Sequence, residues 1–271
     1  MKNIVQRTIT GAVYVALLVV AAICGDAFFA IVFSFILVAG ILEFSKLNYQ
    51  GQKIPWLTVI MDSVGGVVLF LSLFAACMSH NVHWLLCYVP YVLLRPIVQL
   101  YIKGNTIESL KISAMGQLYI AMLLSLLNFI YFEYGDIHLL LASLIFIWVN
   151  DTGAFCIGSL TGKHRLFERI SPKKTWEGFF GGLIFNIIAA LISYGSFYDI
   201  SECFSILEWT SYSLFVTIFA TWGDLLESLI KRSVGAKDSG HMLPGHGGVL
   251  DRIDSLLLVT PMTLLFFFLI S

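Results

Sequence analysis

The stretch 137–158, IHLLLASLIFIWVNDTGAFCIG, is an unbroken apolar run with one charged side chain, Asp151. About 20 mostly apolar residues are enough for a helix to cross the hydrocarbon layer. A membrane barrel would show shorter segments that alternate apolar and polar residues, and this run does not alternate. Outward from it, Glu133 and Asp136 stand on the N-terminal side. Lys163, Arg165, Arg169, Lys173 and Lys174 stand on the C-terminal side. Acid at one end and base at the other is the asymmetry that orients a membrane helix, with its basic end in the cytoplasm.

The rest of the chain repeats this pattern. Its 271 residues are 58% hydrophobic and 12% charged, with a mean hydropathy of +0.88. Soluble domains carry roughly 25% charge. The composition excludes a disordered chain, a nucleic-acid-binding module and a disulfide-stapled secreted domain. Apolar runs predict an all-α, polytopic integral membrane protein with about nine transmembrane helices, near 8–25, 27–42, 57–79, 82–102, 112–132, 137–158, 176–198, 209–230 and 253–270. The first two are short and joined at Gly25-Asp26, which suits a tight hairpin. The start, MKNIVQRTIT and an apolar run without an A-x-A-like site, reads as a first membrane helix and not as a cleaved leader.

Nine spans send residues 1–8, 43–56, 103–111, 159–175 and 231–252 to one face. These loops hold every Lys and Arg of the sixteen except Arg95. The other loops hold Asp26, Glu133, Asp136, Asp199, Glu202 and Glu208, and no Lys or Arg. The N-terminus and the basic loops are therefore expected in the cytoplasm. The chain reads as a single membrane domain, 1–271, with N-terminal helices in 1–135. Its C-terminal half, 136–271, contains the two long loops 159–175 and 231–252. No linker or internal repeat marks a transporter-type duplication. Cys24, Cys77, Cys87, Cys156 and Cys203 are dispersed and read as small core residues. A Cys77–Cys87 bridge is the minor alternative.

Ionisable groups in apolar spans are costly and usually functional. Asp151, Asp224, Glu227, Asp251 and Asp254 all fall near the cytoplasmic ends of their spans. Asp224 and Glu227 are three residues apart, as are Asp251 and Asp254, so each pair shares a helix face. Carboxylates facing basic loops suit a hard cation such as Mg²⁺, with phosphate as the other ligand. The bland alternative is helix-end carboxylates paired with nearby Lys and Arg. Asp62 and Arg95 stand isolated in their spans and read as structural or helix-pairing. In SPKKTWEG (171–178), Ser171 is read as an N-cap and Pro172 as the first helical residue. That helix start, with Lys173 and Lys174, would cradle an anion. The alternative is an ordinary capped helix, with Glu177 favoured in its first turn. The stretch 231–250, KRSVGAKDSGHMLPGHGGVL, is basic, and its glycines let the backbone approach phosphate. It contains no Walker A or G-x-G-x-x-G pattern. His241 and His246 lack partners at zinc spacing, and no G-x-S-x-G elbow supports a serine nucleophile.

The run Ser228, Lys231, Arg232, Lys237, Asp238, Gly240, Leu243, Pro244, His246, Gly247, Gly248, Val249, Asp251, Arg252, Ile253 and Asp254 resembles, at its spacing, the signature of the phosphatidate cytidylyltransferases. Three upstream pieces resemble the same family: Asn150-Asp151-Thr152-Gly153-Ala154 with Gly162-Lys163, then 171–178, then Gly223-Asp224-Leu225 with Glu227. The N-terminal half resembles it only as a hydrophobic region. One departure is Glu168-Arg169, where family members often carry a proline.

The resemblance implies a multi-pass enzyme of the plasma (inner) membrane. It would join CTP to phosphatidate in the bilayer, giving CDP-diacylglycerol and pyrophosphate for phospholipid biosynthesis. It also implies dependence on Mg²⁺, with room for a second cation, and a homodimer; no nucleic acid is expected as a partner. Carried onto these positions, Asp224 and Asp251 are the first metal ligands, with Asp254 and Glu227 for a second ion or for orienting lysines. Lys173, Lys174, Lys231, Arg232 and Lys237 neutralise the phosphates. Asp151, Lys163, Ser171, Thr175, Glu177, Ser228, Asp238, His246, Gly247, Gly248 and Arg252 complete the substrate-binding set. Two rival classes are a cation-coupled transporter, which would place its acids near mid-membrane, and a CTP-dependent lipid kinase, which would transfer the γ-phosphoryl group. A CDP-alcohol phosphotransferase needs a D-G-x-x-A-R motif that is absent.

Overall fold

The structure is a computed structural model that describes residues 2–132, 137–240, 242 and 247–270. Glu133, Asp136, His241, Leu243, Pro244, Gly245 and His246 lie outside the described residues. The chain order is α1 (Lys2–Ile23), α2 (Asp26–Asn48), α3 (Trp56–Ser79), a 3₁₀ stretch (Val82–Tyr88) and α4 (Val89–Gln99). There follow α5 (Thr106–Phe132), with a π-helical stretch at Gly116–Met122, and α6 (Ile137–Thr161). A hairpin of β1 (Arg165–Phe167) and β2 (Ser171–Thr175) leads into α7 (Trp176–Ser196). A short turn of helix (Tyr198–Cys203), α8 (Ile206–Ser233) and α9 (Leu250–Ile270) complete the chain.

The protein is an all-α, multi-pass membrane protein. Seven of these helices are long and apolar enough to cross a membrane, and α1 adds the shorter apolar stretch Ile9–Ile23. The Gly25 hairpin between α1 and α2 forms, with Gly25 at φ 96°, a left-handed conformation that costs glycine little. The expected span 82–102 is corrected: it is a 3₁₀ stretch joined to an 11-residue helix. Pro90 stands at the start of α4 and Pro96 inside it, and each removes a backbone donor from a regular ladder. Alone, α4 is about 16 Å long at 1.5 Å per residue. The second span also differs at its end. The apolar run stops at residue 42, but α2 continues six residues further to Asn48, because a helix does not stop where hydrophobicity does.

The described residues fall into two compact units, one of residues 1–137 with 233–253, the other of 138–232 with 254–271. In the first unit Phe29 packs on Phe33 and Phe70 and stacks on Tyr131, with centroids 4.7, 6.1 and 4.2 Å apart. Asp62 and Arg95, each isolated in its own span and expected to be structural or helix-pairing, are bonded to each other: Arg95 Nε donates to Asp62 Oδ1 at 2.9 Å. Tyr91 and Ser113 also donate to Asp62, while Gln99, Ser109 and Ser113 accept from the guanidinium. The two charges are 33 residues apart in the chain, so their meeting is a tertiary event. None of the five cysteines is in a disulfide, and only Cys77 is buried. The expectation that they are core residues holds for Cys77 and is corrected for the other four.

In the second unit, α6 and α7 cross on small residues. A Cβ at Gly153 would stand 3.0 Å from the Gly181 carbonyl, and one at Gly181 would stand 3.0 Å from the Gly153 carbonyl. Close backbone approach on such a seam supplies the packing that lipid tails cannot drive by exclusion from water. Tyr212 of α8 bonds Ser143 at 2.5 Å and Thr263 at 3.1 Å, and Asn186 donates to Thr217 at 2.8 Å. Buried polar side chains here are thus tied from helix to helix, where no water is at hand.

Candidate active site

The site in the second unit is built by the hairpin. Arg165 pairs with Thr175 and Phe167 with Ser171, antiparallel and with a bulge between. Phe167 lies edge-on to Trp222 of α8 at 5.5 Å, which seats the hairpin on that helix. The Ser171-Pro172 helix start is corrected. Ser171–Thr175 is a strand, and α7 begins at Trp176 with Thr175 as N-cap, its Oγ1 accepting from Gly178 N at 3.1 Å. Both Ser171 and Thr175 have the chemistry of a cap. The pairing with β1 decides between them.

Lys173 and Lys174 therefore project from a strand and not from a helix turn. They line a cavity of about 500 Å³ together with Asn150, Asp151, Gly158 and Ser159 of α6, Arg165 of β1, Thr175, and Thr221 and Asp224 of α8. Lys174 Nζ donates to Asp224 Oδ2 at 2.7 Å and to the Thr221 carbonyl at 3.4 Å. Ser228 Oγ, one turn on, donates to Asp224 Oδ1 at 3.2 Å. Behind this wall, Glu227 and Lys231 form a buried ion pair one helical turn apart. Arg232 Nε donates to the Ile170 carbonyl at 3.4 Å, tying α8 to the hairpin. Asp254 is buried in α9 and lies within electrostatic reach of Asp224, Glu227 and Asp151. α8 and α9 approach closely at Gly223, where a Cβ would stand 2.6 Å from the Asp254 carbonyl.

Of the residues read from sequence, Asp151, Lys173, Lys174, Thr175 and Asp224 meet at the cavity. Glu227, Ser228, Lys231, Arg232 and Asp254 support them from α8 and α9. Lys163 is exposed and outside the lining. Glu177 is engaged by His164, whose backbone N–H donates to both carboxylate oxygens at 3.2 Å. Sequence reasoning assigned no role to Asn150, Ser159, Arg165 or Thr221. Thr221 carried a signal: it lies three residues before Asp224 and seven before Ser228, hence on their face of α8.

The first unit holds the other part of the sequence pattern. Asp251, in the first turn of α9, accepts from Gly248 N at 2.8 Å and from Ser239 N at 3.2 Å. Gly247 takes φ 84°. Lys237, Asp238 and Arg252 are exposed. Glu43, which sequence reasoning did not single out, accepts from Leu250 N at 2.9 Å and from Ser239 Oγ at 3.3 Å.

The donors suit a hard cation. Asp151, Asp224, Glu227, Asp254 and Asp251 offer only oxygen, as Mg²⁺ prefers. Among the described residues no three acidic, imidazole or thiol groups are gathered as a ready-made cage. Mg²⁺ is usually held by one or two carboxylates together with waters and substrate phosphates, so a pre-built cage is not required.

A cavity lined by both acids and bases at the ends of apolar helices points to a membrane protein that handles a charged ligand, and comparison with known sequences places it. The sequence profile of the Cytidylyltransferase family matches residues 5–270, and the chain belongs to that family. It is 45% identical over 128 residues to the phosphatidate cytidylyltransferase of Staphylococcus saprophyticus, covering 46% of this chain and 47% of that protein. It is 43% identical over 141 residues to that of Staphylococcus haemolyticus, covering 50% and 52%. With the protein of that name from Staphylococcus epidermidis it shares 44% over 140 residues, again 50% and 52%. The chain spans about half the length of the curated relatives it matches.

Proposed function

We propose that this protein is a phosphatidate cytidylyltransferase that converts CTP and phosphatidate into CDP-diacylglycerol and pyrophosphate. The observation that carries the reading is the cavity wall, where Arg165, Lys173 and Lys174 face Asp151 and Asp224 at the ends of apolar helices. A phosphatidate oxygen attacks the α-phosphorus of CTP. The new P–O bond forms as the bond from the α-phosphorus to the bridging oxygen breaks, and pyrophosphate leaves with that electron pair. A phosphomonoester has a second pKa near 6, so the nucleophile is largely dianionic at neutral pH and needs no general base. The obstacle is bringing two polyanions together. Lys173, Lys174 and Arg165 lower it by neutralising phosphate oxygens, which is how most phosphoryl-transfer sites act. Lys231, Arg232 and Lys237 complete the basic set, and Gly247-Gly248 lets the loop approach the triphosphate.

In the second unit Asp224, with Glu227 and Asp254, would offer oxygen ligands to Mg²⁺, and in the first unit Asp251 would offer a carboxylate; the cation would supply charge neutralisation at the phosphates. Lys174 holds Asp224 in place before substrate arrives. CTP is soluble and phosphatidate lies in the bilayer, so the basic loops belong on the cytoplasmic side of the plasma membrane. A homodimer follows from the resemblance, and its mass in nanodiscs tests it. Single cysteines in 159–175 should be shielded from an impermeant thiol reagent outside intact cells, and cysteines in 199–208 should react. Labelling of the basic loops from outside would overturn the orientation. The reaction itself is tested with purified protein, phosphatidate, Mg²⁺ and CTP labelled separately at α and γ. Label from α should enter the lipid and label from γ should leave as pyrophosphate. Transfer of the γ label to lipid would replace this reading with a lipid kinase.

A further inference from the structure

The loop 234–250 carries five glycines, and flexibility alone would not hold it in one shape. Within the first unit its two ends meet at one side chain. Glu43, near the C-terminal end of α2, is 2% exposed. Its Oε2 accepts from Ser239 Oγ at 3.3 Å and from Leu250 N at 2.9 Å, two residues eleven positions apart. A carboxylate is costly to bury unless it is hydrogen-bonded, so these contacts are not incidental. The loop is also shaped around the carboxylate. A Cβ at Gly240 would stand 2.7 Å from Glu43 Oε1, and one at Gly248 would overlap Glu43 Oε2 and Ser239 Oγ. Glycine at these two positions is thus explained by close approach to one acid. Asp251 accepts from the backbone N–H groups of Ser239 and Gly248. Ser239 is thus bonded to two carboxylates, to Glu43 of α2 through its hydroxyl and to Asp251 of α9 through its N–H.

We infer that Glu43 is a positioning residue: it ties Ser239 to Leu250 and thereby fixes the start of α9 and the setting of Asp251. Its functional half rests on the reading that this loop serves the CTP triphosphate. Glu43 does not touch substrate. It acts through Ser239, Gly248 and Leu250, so its loss should weaken CTP handling and leave phosphatidate handling alone.

The test uses full-length protein in lipid nanodiscs, with Glu43→Gln, which keeps the shape but weakens the acceptor, and Ser239→Ala, which removes one donor. Hydrogen exchange of peptides covering 234–250 should quicken by about 10-fold in Glu43→Gln, the factor expected when a charge-assisted hydrogen bond is lost. Ser239→Ala should show a smaller change of the same sign. KM for CTP should rise by about 10-fold in Glu43→Gln, with KM for phosphatidate unchanged and thermal stability near the parent's. Unchanged exchange in both variants would overturn the latch. Faster exchange with both KM values unchanged, or with both rising as stability falls, would overturn the positioning role. A parent without cytidylyl transfer would sink the proposed function instead, and exchange alone would then decide whether the latch exists.

Discussion

Two pairs of opposite charges, one in each unit, are built in opposite ways. Asp62 and Arg95 in the first unit are closed off, with side chains 6% and 4% exposed. Tyr91, Gln99, Ser109 and Ser113 complete their hydrogen bonds. Asp224 and Lys174 in the second unit are 36% and 24% exposed, and they border a cavity of about 500 Å³. Both pairs neutralise charge, but only the second can exchange partners without unfolding anything. A lysine that leaves Asp224 can meet a phosphate, and an Asp224 that loses its lysine can meet a cation. Ionisable residues inside membrane helices therefore divide by access. The closed pair locks helices together, and the open pair is available to a ligand.

The contrast is broken most directly at the closed pair. Asp62→Leu leaves a buried guanidinium uncompensated and should cost about 3–5 kcal/mol of stability. Asp62→Leu with Arg95→Met should cost much less, because a buried ion pair replaced by apolar residues of similar volume is often neutral. Thermal melts of both variants in one detergent check this. A double variant as unstable as the single one would show that the pair does more than lock the fold.

Asp224→Asn should do the reverse. Folding should be nearly unchanged while kcat/KM falls about 10²–10³-fold, the size expected when one preorganised electrostatic contact in a reaction site is removed. Parental turnover at ordinary Mg²⁺ would remove Asp224 from the site. Lys174→Ala comes next, at about 1.5–3 kcal/mol for a lost charge-assisted hydrogen bond, or roughly 10- to 150-fold in kcat/KM. Lys163, Arg165, Arg169 and Lys173 remain in the loop, so insertion should survive, and kinetics for each substrate should be measured separately. If Lys174→Ala lowers stability and leaves kinetics untouched, the open pair is merely a second lock.

The smallest effect is expected at Thr175→Ala, which removes the cap of α7 and should cost about 1 kcal/mol of stability. Ser171→Ala should cost less, because Ser171 caps nothing. A larger loss at Ser171 than at Thr175 in a thermal melt would contradict the strand assignment.

Hydropathy and charge made the nine helical stretches, the hairpin at Gly25 and the gathering of Asp151, Asp224, Lys173 and Lys174 legible, because each depends on local composition or on family pattern. The sequence could not show where a helix outlasts its apolar run. Glu43 ended the apolar run of the second span and so read as loop, although it lies inside α2. Nor could it choose between Ser171 and Thr175 as a cap, since both fit locally and only the pairing of Ser171 with Phe167 in the hairpin excludes one. The meeting of Asp62 with Arg95 and of Ser239 and Leu250 with Glu43 joins residues 33 and about 200 positions apart. By itself the sequence determined that this chain crosses a membrane many times and where its acids and lysines stand relative to its apolar runs, because hydrophobic period and charge placement are one-dimensional properties. Only the tertiary structure decided which charges are closed and which are open, because exposure and hydrogen-bond partnership depend on what the rest of the chain brings alongside.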